Sequence, residues 1–103
     1  MAPCQTVQHR PGPSWQPGVA FREQPGVERH FATIRRWLED GVLLVGGPYL
    51  DDDGGMVITR YPTLEAAATA ANADPAVQAG LLTALVRPWY PAMWQSALDA
   101  AME

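Results

Sequence analysis

Cysteine is almost absent: Cys4 is the only one in 103 residues. No internal disulfide can form, so a packed core must hold the chain, and a reducing, cytoplasmic setting is expected. Cys4 has no cationic neighbour in sequence, and it reads as a bystander thiol near a terminus. Charge is scarce too. Only 17% of residues are charged while 48% are hydrophobic, which excludes a disordered chain. Basic residues number 7 against 11 acidic ones, for a net charge of −4. Phosphate backbones demand a dense Lys/Arg surface, so nucleic acid is not an expected partner. No apolar run approaches the length of a bilayer crossing, and the start lacks a basic stretch followed by an apolar one. Neither a membrane span nor a secretion signal is expected. The length suits one modest core, hence one domain over residues 1–103.

Proline is plentiful at the start. Pro3, Pro11, Pro13, Pro17 and Pro25 forbid a long helix there. One short strand, Gln5 to Arg10, then an extended arm is expected, with Val7 and His9 on one face. Gly26 to Asp40 predicts the first helix. Val27, Phe31, Ile34 and Leu38 fall at i, i+4, i+7 and i+11 as one apolar stripe, with His30 and Trp37 along its edge. Gly41 ends it in the left-handed position.

Val42-Leu43-Leu44-Val45 predicts a short buried strand that Gly46-Gly47-Pro48 terminates. The polar turn Asp51-Asp52-Asp53-Gly54-Gly55 leads to a returning strand, Met56 to Tyr61. Thr63 caps a second helix, with Glu65 in its first turn and Leu64, Ala67, Ala68 and Ala71 inward. Asp74 followed by Pro75 is the N-cap and N1 signature of a further short helix, closed by Gly80. Leu81 to Arg87 is the last strand, stopped by Pro88. A terminal helix over 91–101 follows, with Trp94, Ala97, Leu98 and Ala101 on one stripe.

The order β-α-β-β-α-β is the split, ferredoxin-like α+β arrangement: a four-stranded antiparallel sheet with two helices on one face. The core spans 5–90, and 91–103 forms an extra C-terminal helix. Nothing in the chain covers the other sheet face. Leu81-Leu82-Thr83-Ala84-Leu85-Val86 puts apolar side chains on both faces, more than a monomer usually exposes. A two-fold homodimer packed sheet to sheet is therefore expected.

Several motifs, at their spacing, resemble the YCII-related (YciI-like) family of dimeric α+β barrels. They are His30 early in the first helix, Gly41-Val42-Leu43-Leu44-Val45-Gly46-Gly47-Pro48, and an acidic loop into Gly54-Gly55. Asp74-Pro75-Ala76-Val77-Gln78-Ala79-Gly80 and Arg87-Pro88-Trp89 follow. The leading His9-Arg10-Pro11-Gly12-Pro13-Ser14-Trp15 is similar to members with a Gly-Pro-x-Trp arm. The resemblance covers about residues 5–90. It implies a ferredoxin-like protomer, a dimeric barrel and a His/Asp-centred active site, which carries over to His30 and Asp74. The chain departs from the family in a polar first strand, Cys4-Gln5-Thr6-Val7-Gln8-His9, and in the tail past Trp89.

The chemistry follows from these residues. Imidazole titrates near neutrality, so His30 can give or take a proton without a metal; its plainer role is a helix-border histidine bonded to a carbonyl. Asp74 caps a helix, which is worth about 1 kcal/mol, and could also hold His30 in one tautomer. His9 could face the same cavity as a second proton carrier, or lie in a frayed strand. Gly47 and Pro48 bring unhindered backbone to a substrate, or simply make a turn. Trp15, on the arm, is the expected pocket lid, while Trp37, Trp89 and Tyr90 serve an aromatic pocket or core and dimer contacts. Cys4, His9, His30 and Asp74 lack metal-ligand spacing, and the three aspartates lack the spaced ligands of a calcium loop. No metal and no cofactor are expected.

The expected function is a cofactor-free small-molecule enzyme of proton-transfer type: an isomerase, lyase or cyclase. The wider superfamily, which includes lactone isomerases and cofactor-free oxygenases, is an analogy in the same direction. The alternative is a non-catalytic ligand-binding or accessory module.

Overall fold

The computed structural model describes residues 3–102. The strands are β1 (Cys4–Pro11), β2 (Leu43–Pro48), β3 (Gly55–Thr59) and β4 (Leu82–Trp89). The helices are α1 (Val27–Glu39), α2 (Leu64–Asn72), α3 (Pro75–Gln78) and α4 (Asp99–Met102), with 3-10 turns at Phe21–Glu23 and Ser96–Leu98. One sheet holds all four strands in the order β2-β3-β1-β4, every pair antiparallel. This is the ferredoxin-like α+β fold that the element order predicts.

β1 is a central strand despite its polar sequence, because its polar side chains find partners. Gln5, Val7 and His9 alternate onto the helix-covered face and are all buried. The Gln5 amide oxygen accepts from the Thr59 hydroxyl and the Tyr61 N–H, both at 2.9 Å. Its NH2 group donates to the Tyr61 carbonyl at 3.1 Å. A buried glutamine so bonded avoids the desolvation cost of unmatched polar atoms. Val7 joins Trp37, Leu43, Val57 and Ala71 in the main core, and a second cluster gathers Val27, Ala76, Leu81 and Leu82.

Three sequence expectations are corrected. First, the prolines expected to stop strands do not: Pro88 lies within β4, paired with Gln5, and Gly46-Gly47-Pro48 does not end β2. The strand runs on through all three, pairing Gly46 with Val57, Gly47 with Met56 and Pro48 with Gly55, past an irregularity between Leu43 and Val45. β2 lies at the sheet edge, where proline's missing N–H costs no ladder bond. For the same reason only Leu43 of this apolar run is buried, and Val45 is 62% exposed.

Second, α1 is rolled about its axis relative to its apolar stripe. Its buried residues are Val27, His30, Thr33 and Trp37, while Phe31 and Leu38 stay exposed. Third, no helix spans 91–101. Residues 92–95 run without helical structure, and only the 3-10 turn and α4 form. Tyr90 precedes Pro91 and is biased to extended backbone. The side chains beyond Pro91 are exposed as far as Ala101, so no packing repays nucleation of a helix this short.

The proline-rich arm is ordered by specific bonds. Gly12 N–H donates to Leu81 O and Ser14 N–H to Gly80 O, each at 2.9 Å. Gln24, buried, then closes the loop that follows: its side chain accepts from Gln16 N–H and donates to the Gln16 and Val19 carbonyls. That knot fixes the 3-10 turn carrying Phe21 and Arg22. On the face away from the helices, Gln8 pairs with Met56 on one side and Leu85 on the other. Met56 and Leu85 are exposed.

Candidate active site

The site forms where α1, α3 and β1 meet. His30 lies in the second turn of α1, on its buried face. Asp74 precedes α3, whose Pro75 at N1 starts that helix abruptly. The Asp74 carboxylate is wholly buried and makes two contacts at once. Oδ1 accepts from Ala76 N–H at 2.9 Å, capping α3. Oδ2 lies 2.5 Å from His30 Nδ1. An ionised carboxylate only accepts, so Nδ1 carries the proton it donates, and Nε2 is left as the basic atom of the ring. The rigid cap holds Asp74, and Asp74 holds the imidazole.

His9 comes from the far end of β1. Its ring stands edge-on to His30 with centroids 4.7 Å apart. Burial and the neighbouring His30 push its pKa down from 6.5 to about 4, against a smaller upward pull from Asp74. It is therefore neutral at neutral pH. Its Nε2 is buried without a hydrogen-bond partner among the described residues. Gly54 fixes where His9 can sit. With φ at +95° it takes a conformation natural to glycine, and a Cβ there would lie 2.1 Å from the His9 carbonyl oxygen.

Above the histidines opens a cavity of about 840 Å³ between α1 and the β2–β3 hairpin. His9 and His30 line it, together with Gly47 and Pro48. Asp74 does not; it backs His30 from behind. Phe31, Ile34 and Leu38 form one wall. Three of the four stripe residues that periodicity assigns to the core thus reach this cavity, while Val27 stays in the core. Phe21 stacks on Phe31 and on His30, with centroids 5.7 and 5.8 Å apart.

Trp15 is not on the cavity wall. It packs edge-on to Phe21 at 5.4 Å, one layer further out. Trp37 is buried in the core against Tyr61, and Trp89 and Tyr90 are exposed away from the cavity. Phe21, Arg22 and Arg35 are lining residues that sequence reasoning missed. The 3-10 turn has no periodic signature, and its placement depends on the side chain of Gln24, which bonds backbone five and eight residues earlier in an irregular loop that periodicity does not report.

Metal and thiol chemistry can be weighed on geometry. Donor atoms of His9, His30 and Asp74 lie within 4.8 Å of one another, so the fold brings together what sequence spacing holds apart. Both Asp74 oxygens and His30 Nδ1 are already engaged in hydrogen bonds, and a cation bound by all three would have to break the His–Asp pair. The set fits a proton-transfer pair better than a metal cage. Cys4 is buried, and burial raises its pKa despite the lowering influence of Arg60, so it is no thiolate nucleophile. Asp51, Asp52 and Asp53 are exposed, with Asp52 paired to Arg10 at 3.4 Å. No helix among the described residues is long and apolar enough to cross a membrane.

A ferredoxin-like domain with a histidine-lined cavity between helix and sheet is the class that fold and site define. The profile of the YCII-related domain matches residues 13–90, and the chain belongs to that family. Among solved structures, 5-chloro-2-hydroxyhydroquinone dehydrochlorinase from Burkholderia phenoliruptrix AC1100, in complex with 2,5-dihydroxybenzoquinone, is similar in fold. The TM-score is 0.57 at 20% identity, covering 84% of this chain and 93% of that one. Comparison with curated proteins finds no match.

Proposed function

We propose that this protein is a homodimeric, cytoplasmic enzyme that catalyses proton transfer on a small molecule, a lyase, isomerase or cyclase using neither metal nor organic cofactor. The observation that carries this is the buried His30–Asp74 pair at the floor of an apolar cavity. Nε2 of His30 takes a proton from carbon or hydroxyl of the substrate. The released electron pair either expels a leaving group, as in a lyase, or moves along the substrate, which His30 reprotonates elsewhere, as in an isomerase. Asp74 orients the ring and offsets the positive charge that develops on it. His9, Gly47 and Pro48 hold the substrate, and Trp15 braces Phe21 above it.

Two further findings support the reading. The similar structure is that of an enzyme named for a dehydrochlorination, which is an elimination. The exposed Leu85 and Met56 are apolar surface on the open sheet face that a two-fold, sheet-to-sheet dimer would cover, which supports that arrangement.

The test is turnover by the purified protein of a panel headed by halogenated hydroxyhydroquinones, followed by ultraviolet absorbance. Wild type is expected to form product and His30→Ala to lose it while keeping its dimeric mass. A His30→Ala variant with full activity sinks the mechanism. Ligands that raise the melting temperature yet are never converted favour a binding module instead.

A further inference from the structure

The charged groups around the cavity are all of one kind. Arg22, from the 3-10 turn, and Arg35, from α1, line it, and no Asp or Glu does. This runs against the chain as a whole, whose 11 acidic residues outnumber its 7 basic ones. Asp74, which bonds His30, is screened behind it with no exposed surface. The arginines are also uncommitted. Elsewhere Arg10 pairs with Asp52 and Arg60 donates to the Gly41 and Ala101 carbonyls, while Arg29, Arg36 and Arg87, outside the cavity, are likewise without a side-chain partner among the described residues. Neither Arg22 nor Arg35 makes an ion pair or side-chain hydrogen bond among the described residues. A planar guanidinium is suited to a carboxylate or another oxyanion, which it can grip with two parallel N–H groups.

Their position gives the spacing of the ligand. His30, Phe31, Ile34, Arg35 and Leu38 all reach the cavity from α1. Five residues of α1 separate His30 from Arg35, about 7.5 Å of rise and about 140° of turn, so the two groups enter the cavity from separate sides with room for a six-membered ring between them. Phe31 and Ile34 supply the apolar surface between the two ends, and Phe21 adds an aromatic face. Resting on the reading of this cavity as the substrate site, we infer that it selects a ring-sized aromatic anion, its reacting end at His30 and its oxyanion at Arg35 and Arg22. The two arginines are specificity-determining residues for that charge.

The experiment measures affinity for 4-hydroxybenzoate and for its neutral isostere 4-hydroxybenzamide, by calorimetry on the full chain and by imidazole NMR of His9 and His30. Two partly exposed charge pairs predict that the carboxylate binds about three- to tenfold more tightly, with the margin shrinking in 0.5 M salt. The margin is expected to vanish in the Arg22→Gln/Arg35→Gln double variant, with amide affinity unchanged. It is expected to persist in Arg29→Gln, on the same helix but outside the cavity. Equal binding of the two compounds by wild type, or a preference that survives in the double variant, overturns the charge selection and leaves the cavity reading intact. Binding that leaves both imidazoles unshifted overturns the location. If neither compound binds, the charge inference and the ring-substrate reading of the cavity fall together, whereas loss of turnover in His30→Ala alone bears only on the mechanism.

Discussion

Acidification from pH 7 to 4.5 should destabilise this fold through His9 in particular. Its ring is 2% exposed, its Nε2 lacks a partner among the described residues, and a second imidazole faces it at 4.7 Å. All three conditions oppose a positive charge, and the folded pKa falls from 6.5 to about 4. That gap corresponds to about 3 kcal/mol of folded-state preference for the neutral ring. The pKa is depressed in the folded chain, so between about pH 6.5 and 4 the unfolded chain binds more protons. The stabilisation is intact above pH 6.5 and drains away as pH falls towards 4; by pH 4.5 about 2 kcal/mol is gone. Carboxylates titrate over part of the same range, so the difference from His9→Asn isolates the contribution. Urea denaturation at pH 7 and pH 4.5 should show wild type losing about 2 kcal/mol more than the variant. With only two histidines in the chain, NMR assigns each titration directly. An equal loss in both proteins, or a His9 ring titrating near 6.5, would refute the reasoning.

Asp74→Asn preserves the α3 cap, since Asn is an equally good N-cap, but replaces the acceptor at His30 Nδ1 with an amide. Turnover should fall by roughly 100- to 10,000-fold with stability changed by about 1 kcal/mol, as read from steady-state rates and thermal melts. Gly54→Ala forces a side chain into positive φ against the His9 carbonyl, and should cost about 1–3 kcal/mol and shift the His9 resonances. Leu85→Glu places a charge on the exposed sheet face; where wild type forms the dimer proposed above, analytical ultracentrifugation should find the variant at monomer mass.

The ferredoxin-like order was legible because its signals are local. Thr63 caps α2 through its hydroxyl, Asp74-Pro75 opens α3, and apolar runs mark β2 and β4. Edge and centre were harder to separate. β1 reads as too polar for the middle of a sheet, yet Gln5 is satisfied there by Thr59 and Tyr61, more than fifty residues away. β2 reads as a buried core strand, yet it lies at the edge and tolerates Pro48. Strand composition reports burial only after the neighbours are known. The 91–101 helix failed for a related reason: its apolar stripe is real, but the rest of the chain offers it little to pack against.

The candidate site divides along the same line. His30 and Asp74 could be named because each sits at a signalled position, one on a helix stripe's edge and one at a cap, and family resemblance joined them. The cavity could not. Phe31, Ile34 and Leu38 recur at helical spacing whether they face a packed core or a ligand, and periodicity is blind to what lies opposite. What turns them towards the cavity is the competing face of the same helix. Trp37 must enter the main core, and His30 must reach Asp74, so α1 settles with Val27, His30, Thr33 and Trp37 inward. Phe31, Ile34 and Leu38 are thereby turned towards the cavity and become a wall, while Val27, the first residue of the stripe, stays in the core. A buried ion-pairing histidine and the hydrophobic wall beside it are thus two consequences of one helix orientation. Substituting His30 should accordingly change the shape of the cavity as well as its proton chemistry.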